Sequence, residues 1–216
     1  VYHFPWVNDF AKAKNYAKSK ATADWILFLD ADECMSKNDV QDLKKLVAKE
    51  ENIAAFSFMS RHYTDKKEKD KYQHWKELTN EQKRELCTEA DVFKNFDGYY
   101  DVNYITRLFR NHDRITFKGA VHEDVNPSII AWHEEEPEKL IVLCPMPIHH
   151  LHFLKNEDYI EEKQKTYFAL SKERFSQQPD AKIALDIAVG YLFFENNKEQ
   201  CFYYLTYVIA QQKDSK

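Results

Sequence analysis

Phe10, Ala13, Ala17 and Ala21 recur near helical spacing with lysines between them, which predicts a helix over 10–20 capped by Asn8 or Asp9. Trp25-Ile26-Leu27-Phe28-Leu29 is a continuous apolar run. Such a run fits a strand buried on both faces, as in a parallel α/β sheet. It stops at Asp30-Ala31-Asp32-Glu33. Ser36 then caps a helix through Asp39, Leu43, Leu46 and Val47. A strand follows over Ile53–Met59. Residues 61–95 are highly charged and read as mostly helical, with Trp75, Leu78, Leu86, Val92 and Phe93 as sparse apolar anchors. Short strands are predicted at Tyr104–Phe109 and Ile115–Phe117 around a turn at Asn111-His112-Asp113. Two late strands, Leu140–Cys144 and Ile148–Phe153, are separated by Pro145 and Pro147. From Lys155 onward helical periodicity takes over. Three helices are expected near 156–176, 181–195 and 198–212, with Pro179 ending the first and Asn196-Asn197 turning between the last two. Strands alternating with helices, then helices alone, predict an α/β domain over 1–154 and a small all-α region over 155–216. A charged helical insertion is expected at about 61–103.

Composition narrows the chemistry. Only 3 of 216 residues are glycine, where average usage of about 7% would give roughly fifteen. Glycine-rich phosphate cradles are therefore excluded, and a nucleotide's phosphates would need another anchor, such as a carboxylate-held metal. The net charge of −5 gives no basic footprint for nucleic acid. No apolar run approaches a membrane span, and the start lacks the pattern of a signal peptide. Cys34, Cys87, Cys144 and Cys201 lie far apart, which predicts free thiols and a cytoplasmic setting.

Three clusters carry candidate chemistry. Asp30 and Asp32 end a strand, where α/β sheets bind ligands, and carboxylates so spaced suit Mg²⁺ or Mn²⁺ bridging to phosphates. A solvated strand end whose aspartate caps the next helix is the alternative. His122-Glu123-Asp124 offers a general base, or merely a polar loop with a salt bridge. His149-His150-Leu151-His152 places His150 and His152 on one strand face, where one of them offers a metal a nitrogen; a structural histidine is the alternative. Lys14, beside Asn15, is either surface charge or a phosphate contact. The Lys66–Lys71 run reads as a solvated face.

In order, these segments resemble the family 2 glycosyltransferases of the GT-A fold, within a bacterial subgroup that carries a helical repeat tail. The resemblance rests on Phe4-Pro5-Trp6-Val7-Asn8-Asp9-Phe10-Ala11, Lys14-Asn15-Tyr16-Ala17 and the segment from Ala23 to Glu33. It continues in Arg107-Leu108-Phe109-Arg110-Asn111, Phe117–Glu123 and Ile148-His149-His150. It implies a Rossmann-like mixed sheet flanked by helices. It also implies inverting transfer of a sugar from a nucleotide-diphosphate-sugar donor to an acceptor hydroxyl. By this resemblance Asp30, Asp32 and His150 hold Mn²⁺ or Mg²⁺, and Asp30, Lys14 and Asn15 contact the donor. Glu123 is the base, with Asp124 as substitute.

The implied acceptor is a glycan, a protein or a cell-envelope precursor, and the implied location is the cytoplasm or the inner face of the membrane. Lysine at 14 stands where the family usually has arginine and loses bidentate phosphate geometry. The family's opening strand, helix and strand have no counterpart, so the sheet is expected to be truncated at its N-terminal side. The tail loosely resembles a tetratricopeptide hairpin at Ala188-Val189-Gly190 and Phe193; it is expected either to pack on the catalytic domain or to be the first of several repeats, and it offers a surface for a protein partner. Two other readings stand beside this one. One is a metal-dependent hydrolase built from Asp30, Asp32, His122 and His150; the other is a non-catalytic binding module.

Overall fold

A computed structural model describes residues 1–48, 52–64, 76–82, 98–151 and 157–213. The chain runs α1 (Phe10–Lys18), β1 (Trp25–Leu27), β2 (Glu33–Cys34), α2 (Lys37–Val47), β3 (Ile53–Thr64) and β4 (Lys76–Glu77). It continues through β5 (Tyr99–Arg110), α3 (Asn126–Glu135), β6 (Leu140–His150), α4 (Glu157–Gln177), α5 (Ala181–Phe194) and α6 (Lys198–Lys213). The sheet order is β1-β5-β3-β6-β2, with β4 pairing β5. Among the described strands only β3 and β6 run parallel; the other pairings are antiparallel.

The sheet is covered on both faces. Ile26, Phe109, Ile115, Phe117, Val125, Ile129 and Trp132 form one core with Ala11 of α1. Leu43 of α2, Phe56, Phe58, Leu108, Cys144 and Ile148 form the other. Strand alternation sorts the 25–29 run between them: Ile26 and Phe28 join the first core, Trp25 and Leu29 the second.

The expectation of a parallel strand there is corrected. β1 has three residues, pairs antiparallel with β5 alone, and leaves Leu27 exposed. An apolar run signals burial but carries no information about strand direction.

Other expectations change for local reasons. Ile115–Phe117 is not a strand. Its backbone is satisfied by side chains instead: Thr116 N donates to Ser128 Oγ, and Phe117 N to Asn15 Oδ1. Leu140–His150 is one strand, not two, because Pro145 and Pro147 sit at a register shift against β3. Arg61–Thr64 extends β3, and β5 begins at Tyr99 rather than Tyr104, so both ends of the expected 61–103 insertion are strand. Leu78 is buried, while Trp75, Leu86, Val92, Phe93, the Lys66–Lys71 run, Cys87 and His152 lie outside the described residues. Helix α3 has no counterpart in the sequence reading; Pro127 in its first turn was its available signal.

The caps are as the sequence indicated: Asp9 Oδ1 accepts from Lys12 N, and Ser36 Oγ from Asp39 N. The tail helices lie within a residue or so of their expected bounds. Asn196 takes the left-handed turn at φ 46° and Asn197 caps α6 through Gln200 N. Gly190 of α5 lies flat against the Phe168 ring of α4, and Tyr191 stacks on Tyr204 of α6. Among the described residues no helix is long and apolar enough to cross a membrane.

Candidate active site

The acidic turn after β1 is anchored at both ends. Glu33 N donates to Asp30 O, and Asp30 N donates to Glu33 Oε2. β2 then pairs with the end of β6, Glu33 opposite His150, while Leu151 N donates to Asp32 O. This stitching brings the Asp32 carboxylate within 3.5 Å of His150 Nε2. His150 Nδ1 lies 3.0 Å from Nδ1 of His62, its register partner on β3. The neighbouring His149 points into the protein against the Tyr63 hydroxyl at 2.6 Å. Burial, reinforced by the Arg61 charge, pushes the His149 imidazole down to about 4.

Asp30 faces two cations. Lys14 Nζ approaches Oδ1 at 3.1 Å, and Arg107 Nη2 approaches Oδ2 at 2.7 Å. Burial alone would raise this carboxyl, but Arg107 and Lys14 outweigh it, and Asp30 sits below the ordinary carboxylate value. Arg107 also grips Glu33 Oε1 at 2.5 Å, deep in the protein. Lys14 reaches further, to Glu123 Oε1 at 2.7 Å. One ammonium thus links the acid at the end of β1 to the candidate base.

Glu123 is delivered by a loop that Lys118 and Asp124 close with two reciprocal backbone hydrogen bonds. Gly119 (φ 96°) and His122 (φ 52°) take left-handed turns within it. Phe10 N donates to Ala120 O, and Asn15 bonds the Phe117 backbone in both directions, which fastens the loop to α1 beside Lys14.

The structure therefore gathers Lys14, Asp30 and Glu123 at one point and Asp32 with His150 at another on the same turn. It does not bring in Asp124, whose Oδ1 accepts from Asn126 N at the start of α3. Asn15 spends its amide on Phe117. His122 turns to Asp186 of α5 at 3.6 Å, away from the hydrolase constellation. Among the described residues no group of three or more His, Cys, Asp or Glu side chains forms a self-sufficient metal cage.

Sequence reasoning missed Arg107, Glu33 and Tyr167 as site residues. Arg107 and Glu33 stood inside motifs already singled out. Tyr167 of α4 had no local signal. Burial pushes its phenol up to about 12, and Glu123, Asp30 and Asp32 push the same way, so its hydroxyl shares their field.

The model of glycosyl transferase family 2 matches residues 1–115. The chain belongs to that family. Lys14, Asp30, Asp32 and Arg107 lie inside the family 2 match; Glu123 and His150 lie beyond it. A TPR repeat-containing protein of Synechococcus elongatus is 29% identical over 148 residues, 68% of this chain and 28% of that protein. The SPbeta prophage-derived glycosyltransferase SunS of Bacillus subtilis is 24% identical over 177 residues, 81% of this chain and 33% of SunS. Glycosyltransferase SunS of Bacillus phage SPbeta matches to the same extent. This family 2 chain spans about a third of the length of these curated relatives.

Proposed function

We propose that the chain carries the catalytic centre of a metal-dependent, inverting glycosyltransferase that uses a nucleotide-diphosphate sugar. The observation that carries this reading is the bridge from Asp30 through Lys14 to Glu123, set beside the Asp32–His150 pair at the carboxyl end of β1. Membership of family 2 and the similarity to SunS support it.

The donor set suits a divalent ion. Asp32 offers a hard carboxylate oxygen and His150 an imidazole nitrogen, and two protein donors leave positions for diphosphate oxygens and water. Such an ion would neutralise charge on the leaving diphosphate. Asp30, kept ionised by Arg107 and Lys14, fixes the turn on which Asp32 sits. Glu123 takes the proton of the acceptor hydroxyl as that oxygen bonds to the anomeric carbon. The bond from that carbon to the diphosphate breaks, and the nucleoside diphosphate leaves with the electron pair. A single displacement inverts the anomeric centre. Lys14 Nζ, 2.7 Å from Glu123 Oε1, orients that carboxylate before the acceptor arrives. The acceptor hydroxyl belongs to a glycan, a protein or a cell-envelope precursor.

Nucleoside diphosphate release from a panel of UDP- and GDP-sugars, with and without MnCl₂, tests the reading. Release should require Mn²⁺ and fall at least about a hundredfold in Glu123→Gln. Asp32→Asn activity equal to that of the native chain would show the metal assignment to be wrong.

A further inference from the structure

The loop that carries Glu123 leans on the helical tail. His122, the residue before Glu123, holds a left-handed backbone conformation that side chains rarely adopt. Such a conformation persists when its surroundings over-determine it. Here they come from two tail helices. The His122 ring meets Tyr167 of α4 edge-on at 5.7 Å, and its Nε2 lies 3.6 Å from Asp186 Oδ2 of α5. Its carbonyl accepts from Lys182 Nζ at 3.4 Å.

Tyr167 also packs edge-on against Phe10 at 5.5 Å. Phe10 opens α1, the helix that carries Lys14, and its backbone N–H holds Ala120 of the same loop. The tail therefore touches both elements that place the Lys14–Glu123 pair, and on the Glu123 side the contact is one residue away.

We propose that α4 and α5 help set the catalytic centre: Asp186 is a positioning residue that sets Glu123 through His122, and Tyr167 braces the same loop and α1 through its ring contacts with His122 and Phe10. The role given to Glu123 rests on the glycosyltransferase reading; the contact does not. The charged groups around Asp186 are His122, Lys182 and Asp180. Those around Tyr167 are Glu123, Asp30, Asp32, Tyr159 and Lys163, the last with Nζ 5.6 Å from the ring.

Hydrogen exchange of the substrate-free protein, paired with steady-state kinetics, tests this. In Asp186→Asn, amides of residues 119–124 should exchange at least about fivefold faster while those of β3 and β5 keep their rates. The kcat for a Mn²⁺-dependent UDP- or GDP-sugar should drop about tenfold to a hundredfold with the donor KM unchanged, as expected when a base is displaced without loss of binding. Asp186→Glu should recover part of both. Tyr167→Phe, which keeps the ring packing, should leave loop exchange unchanged.

Unchanged loop exchange in Asp186→Asn overturns the proposal. So does faster exchange with kcat intact. A native chain that turns over no donor refutes the glycosyltransferase reading separately, because exchange is measured without substrate.

Discussion

Replacing Arg107 by methionine removes the guanidinium that two carboxylates share and keeps most of the side chain's length. Arg107 and Glu33 have side-chain exposures of 7% and 1%. Removing one partner of such a pair leaves a buried charge uncompensated, which costs about 3–5 kcal/mol. Glu33 keeps the hydrogen bond from Asp30 N, which places the cost near the lower end, about 3 kcal/mol. Asp30 is 38% exposed, so solvent screens its contact with Arg107, and its share stays below about 1 kcal/mol.

Urea melts followed by tryptophan fluorescence at pH 7 measure the loss; in a thermal melt it corresponds to about 6–12 °C for a chain of this size. The Glu33→Gln/Arg107→Met double variant should recover at least half of it, because the stranded charge is gone.

The pH dependence has a definite sign. The Asp30 carboxyl is depressed in the fold, so its stabilisation is complete above its ordinary value of 3.8 and disappears as pH falls through the folded value. Arg107→Met removes the Arg107 part of that stabilisation and leaves the part that Lys14 supplies. The Asp30 share of the gap between native and variant, below about 1 kcal/mol, should therefore hold from neutral pH down to about 4 and be lost below that, while the larger Glu33 share narrows sooner because the stranded carboxylate takes up a proton as pH falls. A loss under about 1 kcal/mol, or a double variant no more stable than the single one, refutes the reasoning.

Further outcomes follow from other sites. Asn15→Ala should cost about 1–3 kcal/mol of stability by orphaning the Phe117 backbone groups, read by urea melt; unchanged stability with weakened UDP–Mn²⁺ binding in calorimetry would assign Asn15 to the donor instead. The His149 imidazole is depressed to about 4, so the unfolded chain binds its proton first, and stability should fall as pH drops from about 6.5 towards 4, by about 3 kcal/mol at most. His149→Gln should flatten that slope in melts across the window. Gly190→Ala drives a methyl into the Phe168 ring and should cost about 1–3 kcal/mol in tail stability, relieved by Phe168→Leu in the same background and read by thermal melts.

Features set by short-range chemistry were legible in the sequence. Asp9 and Ser36 announce helix starts because their side chains satisfy backbone donors three residues on. The tail helices were legible because periodicity, Pro179 and the Asn196-Asn197 turn act locally. Asp30 and Asp32 were visible because an apolar run stops at them.

What failed depends on distant partners. Ile115–Phe117 has a strand's composition, yet Asn15, about a hundred residues earlier, takes its hydrogen bonds. Pro145 and Pro147 read as a break, yet β3 accommodates them in a shifted register. The direction of β1 depends on β5, whose Arg107 is also the cation that organises the acidic turn. Tyr167 and Asp186 read as ordinary positions on tail helices until the 119–124 loop is seen against them.

The bridging role of Lys14 also has a consequence in time. Lys14, Asp30 and Glu33 are synthesised before Arg107, Glu123 and His150. At about 5–20 residues per second the gap from Asp30 to Arg107 is about 4–15 seconds. Until Arg107 is made, the acidic turn lacks the guanidinium that holds it in the fold and must remain hydrated. β1 cannot seat against the sheet before β5 exists to pair with it. Folding of this centre is therefore gated by the arrival of β5. Substitutions that weaken Arg107 should reduce the yield of soluble protein during synthesis more than they harm the finished fold.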